Sequence, residues 1–124
     1  MILADTSVWI EYFRRELEPL RHWLALGRVL VHPIVIGELA LGNLHPRDET
    51  LAALHALPQA PTASHDEALE FIEQRSAYGR GVGYNDVLLL CSCLLAPGTQ
   101  LYTLDRRLAS LAAECGVVHN GKLN

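Results

Sequence analysis

The chain has 124 residues, half of them hydrophobic, with a net charge of −4 and three cysteines. That length suits one domain, residues 1–124, around a single core, and the composition excludes a disordered tail or a collagen-like chain. The acidic balance does not announce a nucleic-acid binder, and the longest apolar stretch, Val87 to Ala96, is about half of what a membrane-spanning helix needs.

The first element is an apolar run, Met1-Ile2-Leu3-Ala4, closed by Asp5. With no charged leader before it, the chain is expected in the cytoplasm, away from membranes. Ser7–Arg15 follows with helical spacing, Val8, Ile10, Tyr12 and Phe13 being apolar, and Thr6 and Ser7 stand where a helix cap is wanted. Pro19 starts a second helix, with Leu20, Trp23, Leu24 and Leu26 apolar, ended by Gly27. Val29-Leu30-Val31-His32 reads as a strand, and Pro33 opens a helix carrying Glu38.

A further helix runs from Pro46 to about Leu57, and Pro58 and Pro61 bracket an extended connection. Ser64 to Ala77 is a helix whose capping box is Ser64 with Glu67. The segment from Tyr78 to Tyr84 holds three glycines but no phosphate-binding fingerprint, because no strand leads into it. It reads as a mobile loop beside a site. Asn85 or Asp86 starts the apolar helix through Ala96, Gln100–Leu104 is a strand, Asp105 starts the helix Arg106–Cys115, and Val117-Val118 is the last strand. Strands alternating with helices imply an α/β fold, a three-layer α/β/α sandwich with a central parallel sheet.

Cys91, Cys93 and Cys115 offer no zinc spacing and read as buried free thiols, and the six histidines as structural or surface residues. The helices near Trp9, Tyr12 and Trp23 fit either an association surface or core packing.

Four acids stand among apolar neighbours: Asp5, Glu38, Asp86 and Asp105. A lone buried carboxylate is costly unless paired, hydrogen-bonded or metal-bound. Ligand sites of such sheets form at the carboxyl ends of the strands. Two charges about 5 Å apart repel by roughly 3 kcal/mol at an effective dielectric of 20. Four gathered together call for a cation, and all-oxygen ligands favour Mg²⁺ or Mn²⁺. The chemistry is then metal-dependent phosphodiester hydrolysis. Taken singly, Asp5, Asp86 and Asp105 also fit ordinary helix caps. Glu38 does not, and Asp5 has Thr6 and Ser7 beside it as alternative caps.

These residues resemble the PIN-domain ribonucleases, and most closely the VapC toxins of VapBC toxin–antitoxin pairs. Asp5-Thr6-Ser7 after an apolar strand is similar to their N-terminal motif, and Glu38 within Ile36 to Gly42 to their second acidic position. The stretch from Gly81 to Leu90, with Asp86, resembles the third; Thr103-Leu104-Asp105 resembles the fourth. Asn85 before Asp86 departs slightly from relatives and is a candidate hydrogen-bond donor in the site. The resemblance implies Mg²⁺ or Mn²⁺ held mainly by Asp5, Asp86 and Asp105, with Glu38 binding through water or activating it. Thr6, Ser7 and Thr103 would support the carboxylates by hydrogen bonds. It also implies endonucleolytic RNA cleavage, a homodimer, and a VapB-type antitoxin that blocks the site with a basic side chain.

An acidic site must still attract a polyanion, so Arg14, Arg15, Arg80, Arg106 and Arg107 are candidate substrate contacts, with Tyr84 as a base-stacking surface. A solvated helix face explains each arginine equally simply. A phosphoacceptor domain also places acids at strand ends, but it wants paired acids and a lysine after the last strand. Here Asp5 has no acidic neighbour and Lys122 is the sole lysine. An RNA-processing nuclease without a toxin role, or a binding module without catalysis, shares the same pattern. Retention of all four acids favours the enzyme.

Overall fold

Strand β1 (Ile2–Ala4) is the centre of a three-stranded parallel sheet in the computed structural model, which describes residues 1–123. Its neighbours are β2 (Val29–Leu30) and β3 (Gln100–Tyr102), in the order β2-β1-β3. Leu3 lies opposite Leu30 on one side and Leu101 on the other. All three residues of β1 are buried, which is why the run carries no polar alternation.

Seven helices among the described residues flank the sheet in an α/β/α arrangement: α1 (Thr6–Arg15), α2 (Glu18–Ala25), α3 (Pro33–Ala40), α4 (Arg47–His55), α5 (His65–Gln74), α6 (Tyr84–Leu95) and α7 (Arg106–Glu114). One cluster of buried side chains joins the layers, with Val8, Leu20, Val35, Leu90 and Leu108 wholly enclosed. Each such residue contributes about 1.5–3 kcal/mol relative to exposure. The chain leaves β1 towards β2 on one side and returns through β3 on the other. The carboxyl end of β1, where Asp5 stands, is therefore the point where strand order reverses.

Three expectations change. His32 does not extend β2: its Nδ1 accepts the Ile34 N–H at 3.0 Å and caps α3, while Val31 makes a single parallel bridge to Gln59. Val118 likewise makes only one bridge, to Leu101. The chain turns immediately afterwards because His119 Nδ1 and Asn120 Oδ1 accept the N–H groups of Gly121 and Lys122, which competes with a ladder. Helix α5 ends at Gln74 rather than Ala77, since Ser76 takes a left-handed conformation with φ 50°.

Trp9 is 3% exposed and belongs to the core, with Tyr12 and Trp23 half-buried against it, so packing accounts for this aromatic set. Cys91 and Cys93 are buried and free, and burial pushes their thiols up to about 11 and about 12. No helix among the described residues is long and apolar enough to cross a membrane.

Candidate active site

Asp5 ends β1, is 4% exposed, and caps α1 itself: its Oδ1 accepts the Val8 N–H at 3.1 Å. Thr6 and Ser7, expected as the caps, instead turn their hydroxyls towards carboxylates. Ser7 Oγ donates to Asp5 Oδ1 at 2.6 Å, and Thr6 Oγ1 donates to Glu38 Oε1 at 2.7 Å. Asp5 Oδ2 accepts from the Thr103 hydroxyl at the end of β3.

The two strand ends are tied together by the same hydroxyls. Ser7 Oγ accepts the Leu104 N–H at 3.1 Å, and Thr103 Oγ1 accepts the Asp105 N–H at 3.0 Å. Asp105 in turn caps α7, its Oδ1 taking the N–H groups of Arg107 at 2.8 Å and Leu108 at 3.1 Å. The cap readings of Asp5 and Asp105 were therefore correct in geometry, and each carboxylate still keeps lone pairs for another ligand.

Helices bring the other two acids. Glu38 stands on α3, and Asp86 lies in the first turn of α6, whose cap is Gly83. A Cβ on Gly83 would stand 3.8 Å from Asp86 Oδ2, so loop backbone and carboxylate are neighbours. Asn85 is exposed, and its side chain makes no hydrogen bond among the described residues.

Burial, with the charges of Asp5, Asp105 and Glu38, pushes Asp86 up to about 6. Asp5 is raised by burial; its bonds from Ser7, Thr103 and the Val8 N–H oppose that, while the charge of Asp105 adds to it. The four acids thus share one field. They do not share one degree of burial: Asp5 is enclosed and Asp86 half-buried, whereas Glu38 and Asp105 are exposed. The apolar neighbours of Glu38 on α3, Val35, Ile36 and Leu39, turn to the core instead.

Ion pairs among the described residues join Arg14 and Arg15 to Glu11, Arg21 to Glu18, and Arg80 to Glu114, and none reaches the four acids. A set of oxygen donors with mutual repulsion and no basic partner fits a divalent cation. Asp5, Asp86 and Asp105 would hold it, with Glu38 beside them. Among the described residues, no group of three or more His, Cys, Asp or Glu side chains stands close enough together to hold a metal ion as it is.

The expected substrate contacts divide. Arg14 and Arg15 lie on α1 and are engaged with Glu11. Arg80 forks onto Glu114, with Nη1 to Oε1 at 2.9 Å. Arg106 and Arg107 make no ion pair among the described residues, and with Arg80 and Ser110 they line a cleft of about 330 Å³. Gly81 has φ 76°, and a Cβ there would stand 2.6 Å from Arg107 Nη1, so only glycine lets that guanidinium lie against the loop. Together with the Arg80–Glu114 pair, this contact ties the glycine loop to α7. Tyr84 hydrogen-bonds His65 Nδ1 at 2.6 Å, with ring centroids 5.5 Å apart. Ser7 and Thr103 support Asp5 as the resemblance implied, and their further bonds to the Leu104 and Asp105 N–H groups are what the chain did not announce.

Residues 2–114 match the family described as PIN domain. Ribonuclease VapC32 of Mycobacterium tuberculosis, in strains CDC 1551 / Oshkosh and ATCC 25618 / H37Rv, is 45% identical over 117 residues, which is 94% of this chain and 94% of the relative. The crystal structure of PAE2754 from Pyrobaculum aerophilum shares the fold, with a TM-score of 0.61 at 18% identity over 89% of this chain and 84% of that one. A chain with this match along its length and this parallel sheet belongs to the PIN-domain family, in its VapC branch.

Proposed function

We propose that the protein is a Mg²⁺- or Mn²⁺-dependent endoribonuclease, the toxin of a type II toxin–antitoxin pair acting in the cytoplasm as a homodimer. The single observation that carries this reading is the hydrogen-bond network of the strand ends, in which Ser7 and Thr103 hold Asp5, Thr103 also meets Asp105, and Thr6 reaches Glu38. The name of the 45% identical relative, a ribonuclease, supports RNA as the substrate.

A cation bound there would lower the pKa of a water and stabilise the charge of an in-line phosphoryl displacement. Asp5 is held rigidly by its three donors, so its oxygens are oriented before any ligand arrives. Glu38 Oε1 is engaged by Thr6, which leaves Oε2 to take the proton of the attacking water. The water oxygen then bonds to phosphorus, the bond to the departing ribose oxygen breaks, and that oxygen takes a proton from solvent. Arg106 and Arg107 carry positive charge beside Asp105 to meet flanking phosphates.

An apolar cavity of about 330 Å³ between α1, α2 and α4 is lined by Trp9, Phe13 and Leu54, among others. A second, of about 310 Å³, runs from Phe13 and Leu39 to Glu38. Phe13 is common to both, which suits a VapB-type antitoxin segment that ends in a basic side chain at the acids.

The test is cleavage of tRNA and of rRNA by purified protein with Mg²⁺ or Mn²⁺, repeated with EDTA and with Asp5→Asn. Both changes should abolish cleavage. Cutting that persists in either would end the metal mechanism.

A further inference from the structure

We propose that the cavity beside Thr103 and Leu104 is a nucleobase subsite that favours a base bearing a ring carbonyl over adenine. The proposal rests on the ribonuclease reading and adds the part of the substrate that is recognised. The cavity holds about 520 Å³, within the range of small-ligand pockets, and opens between the end of α1, β3 and the turn after Val118.

Its position follows from Thr103, which lines the cavity and donates to Asp5. A phosphate at the acids would thus bring an attached nucleoside to the cavity mouth. Leu104 marks that mouth. It is 48% exposed between two residues of the acid network, and its N–H is pinned by Ser7, so an apolar side chain is held open to solvent beside a charged site. Leu17 forms another apolar wall, positioned by the left-handed turn at Glu16, φ 48°. The Tyr102 and His119 rings, with centroids 5.1 Å apart, supply aromatic surface for a base.

The polar groups of the lining are mostly donors. His119 Nδ1 accepts the Gly121 N–H at 3.0 Å, which assigns the ring proton to Nε2. That Nε2 is enclosed and has no acceptor among the described residues, so the donors open to the cavity are those of Asn120 and the rim. A buried donor without an acceptor is unfavourable. Asn120 Oδ1 accepts the Lys122 N–H at 2.9 Å, leaving its amide N–H₂ to donate. Arg15 on the rim also only donates. Uracil, cytosine and guanine present a carbonyl to such a set; adenine does not.

The experiment has two arms. In the first, isotope-labelled protein is titrated with uridine, cytidine and adenosine in EDTA and followed by NMR. Leu104 methyl and His119 ring signals should move with uridine and cytidine, adenosine should bind more weakly, and Leu104→Ala or Asn120→Ala should weaken binding about 5- to 150-fold, the cost of one lost base contact. Leu104→Ala alters only an exposed side chain. Asn120→Ala also removes the bond to the Lys122 N–H, so Asn120→Asp, which keeps that acceptor and loses the amide donor, is run beside it and should weaken binding likewise. In the second arm, cleavage of randomised RNA by the same variants should show a raised KM and flattened base preference with kcat retained. RNA cut by the wild type, with neither the nucleoside shifts nor a change of preference in the variants, would overturn the subsite. Nucleosides bound at Leu104 without any RNA cleavage would instead sink the nuclease reading and leave the subsite standing.

Discussion

The strand-end acids and the helix-borne acids are supported differently. Asp5 accepts two hydroxyls and one amide, and Asp105 accepts two amides. On the helices, Glu38 has one hydroxyl, and Asp86, pushed up to about 6, has no hydroxyl donor among the described residues. Donors favour the charged form of a carboxylate, and burial beside like charges disfavours it. Where four carboxylates converge, hydrogen bonds decide which of them stays ionised. Both Asp5 and Asp86 are raised by burial, but only Asp5 has hydroxyl donors working against it.

The largest effect expected from breaking that contrast is on the supported side. Asp5→Asn removes a ligand worth several kcal/mol of charge stabilisation, so RNA cleavage should fall on the order of a thousandfold. A rate within tenfold of wild type would remove Asp5 from the metal site. Thr103→Val keeps every acid and deletes one donor to Asp5. Metal affinity should then drop about 10- to 100-fold, as for other partners of ligand groups, measurable by Mn²⁺ titration. Unchanged affinity would make the Thr103 bond a matter of folding alone.

On the unsupported side the prediction concerns pH. The Asp86 carboxyl titrates higher folded than the ordinary 3.8, so the native state binds more protons between those values. Its ionisation destabilises the metal-free fold: the destabilisation is absent below about 3.8, grows as pH rises to about 6, and is complete above that. His32 and His119, both lowered by burial, act in the opposite direction. The Asp86 share is therefore read as a difference: going from pH 5 to pH 7, metal-free Asp86→Asn should gain more, or lose less, melting temperature than wild type. Because ligands must be deprotonated, Mn²⁺ affinity should fall below about pH 6. A variant that kept the full pH slope would assign the proton elsewhere. The smallest effect lies away from the acids: Arg80→Ala breaks a solvent-screened pair with Glu114 and should leave the urea midpoint nearly unchanged. It should raise the KM for RNA if the arginine cleft grips phosphate.

Much of this contrast was open to reading in the chain. Asp-Thr-Ser after an apolar run and Thr-x-Asp before a helix locate both strand ends, and the buried run Ile2–Ala4 locates the central strand. The chain also places Glu38 and Asp86 on helices. The resemblance implied that Thr6, Ser7 and Thr103 support the carboxylates, as they do, but not which other backbone they tie down. Ser7 beside a helix start looks like a cap, and only contact with Leu104, 97 residues away, shows that it bridges two loops. The burial of the acids was misjudged for a related reason. Apolar neighbours in sequence enclose a side chain in a strand, but on α3 they occupy the opposite face from Glu38. Similarly, Val117 and Val118 have strand propensity, yet His119 and Asn120 divert the backbone into a turn.

The hydroxyl bridges also bear on the order of assembly. Asp5 is synthesised well before Thr103, and one of its oxygens waits for that hydroxyl 98 residues later in the chain. Closing a loop of that length is entropically slow and comes late among folding events. A nascent chain that ends before Thr103 holds three of the four acids without the strand that orders the first. Catalytic geometry would thus arrive with β3, after most of the polypeptide has been made, and a partial product of synthesis would carry the acids without a working site.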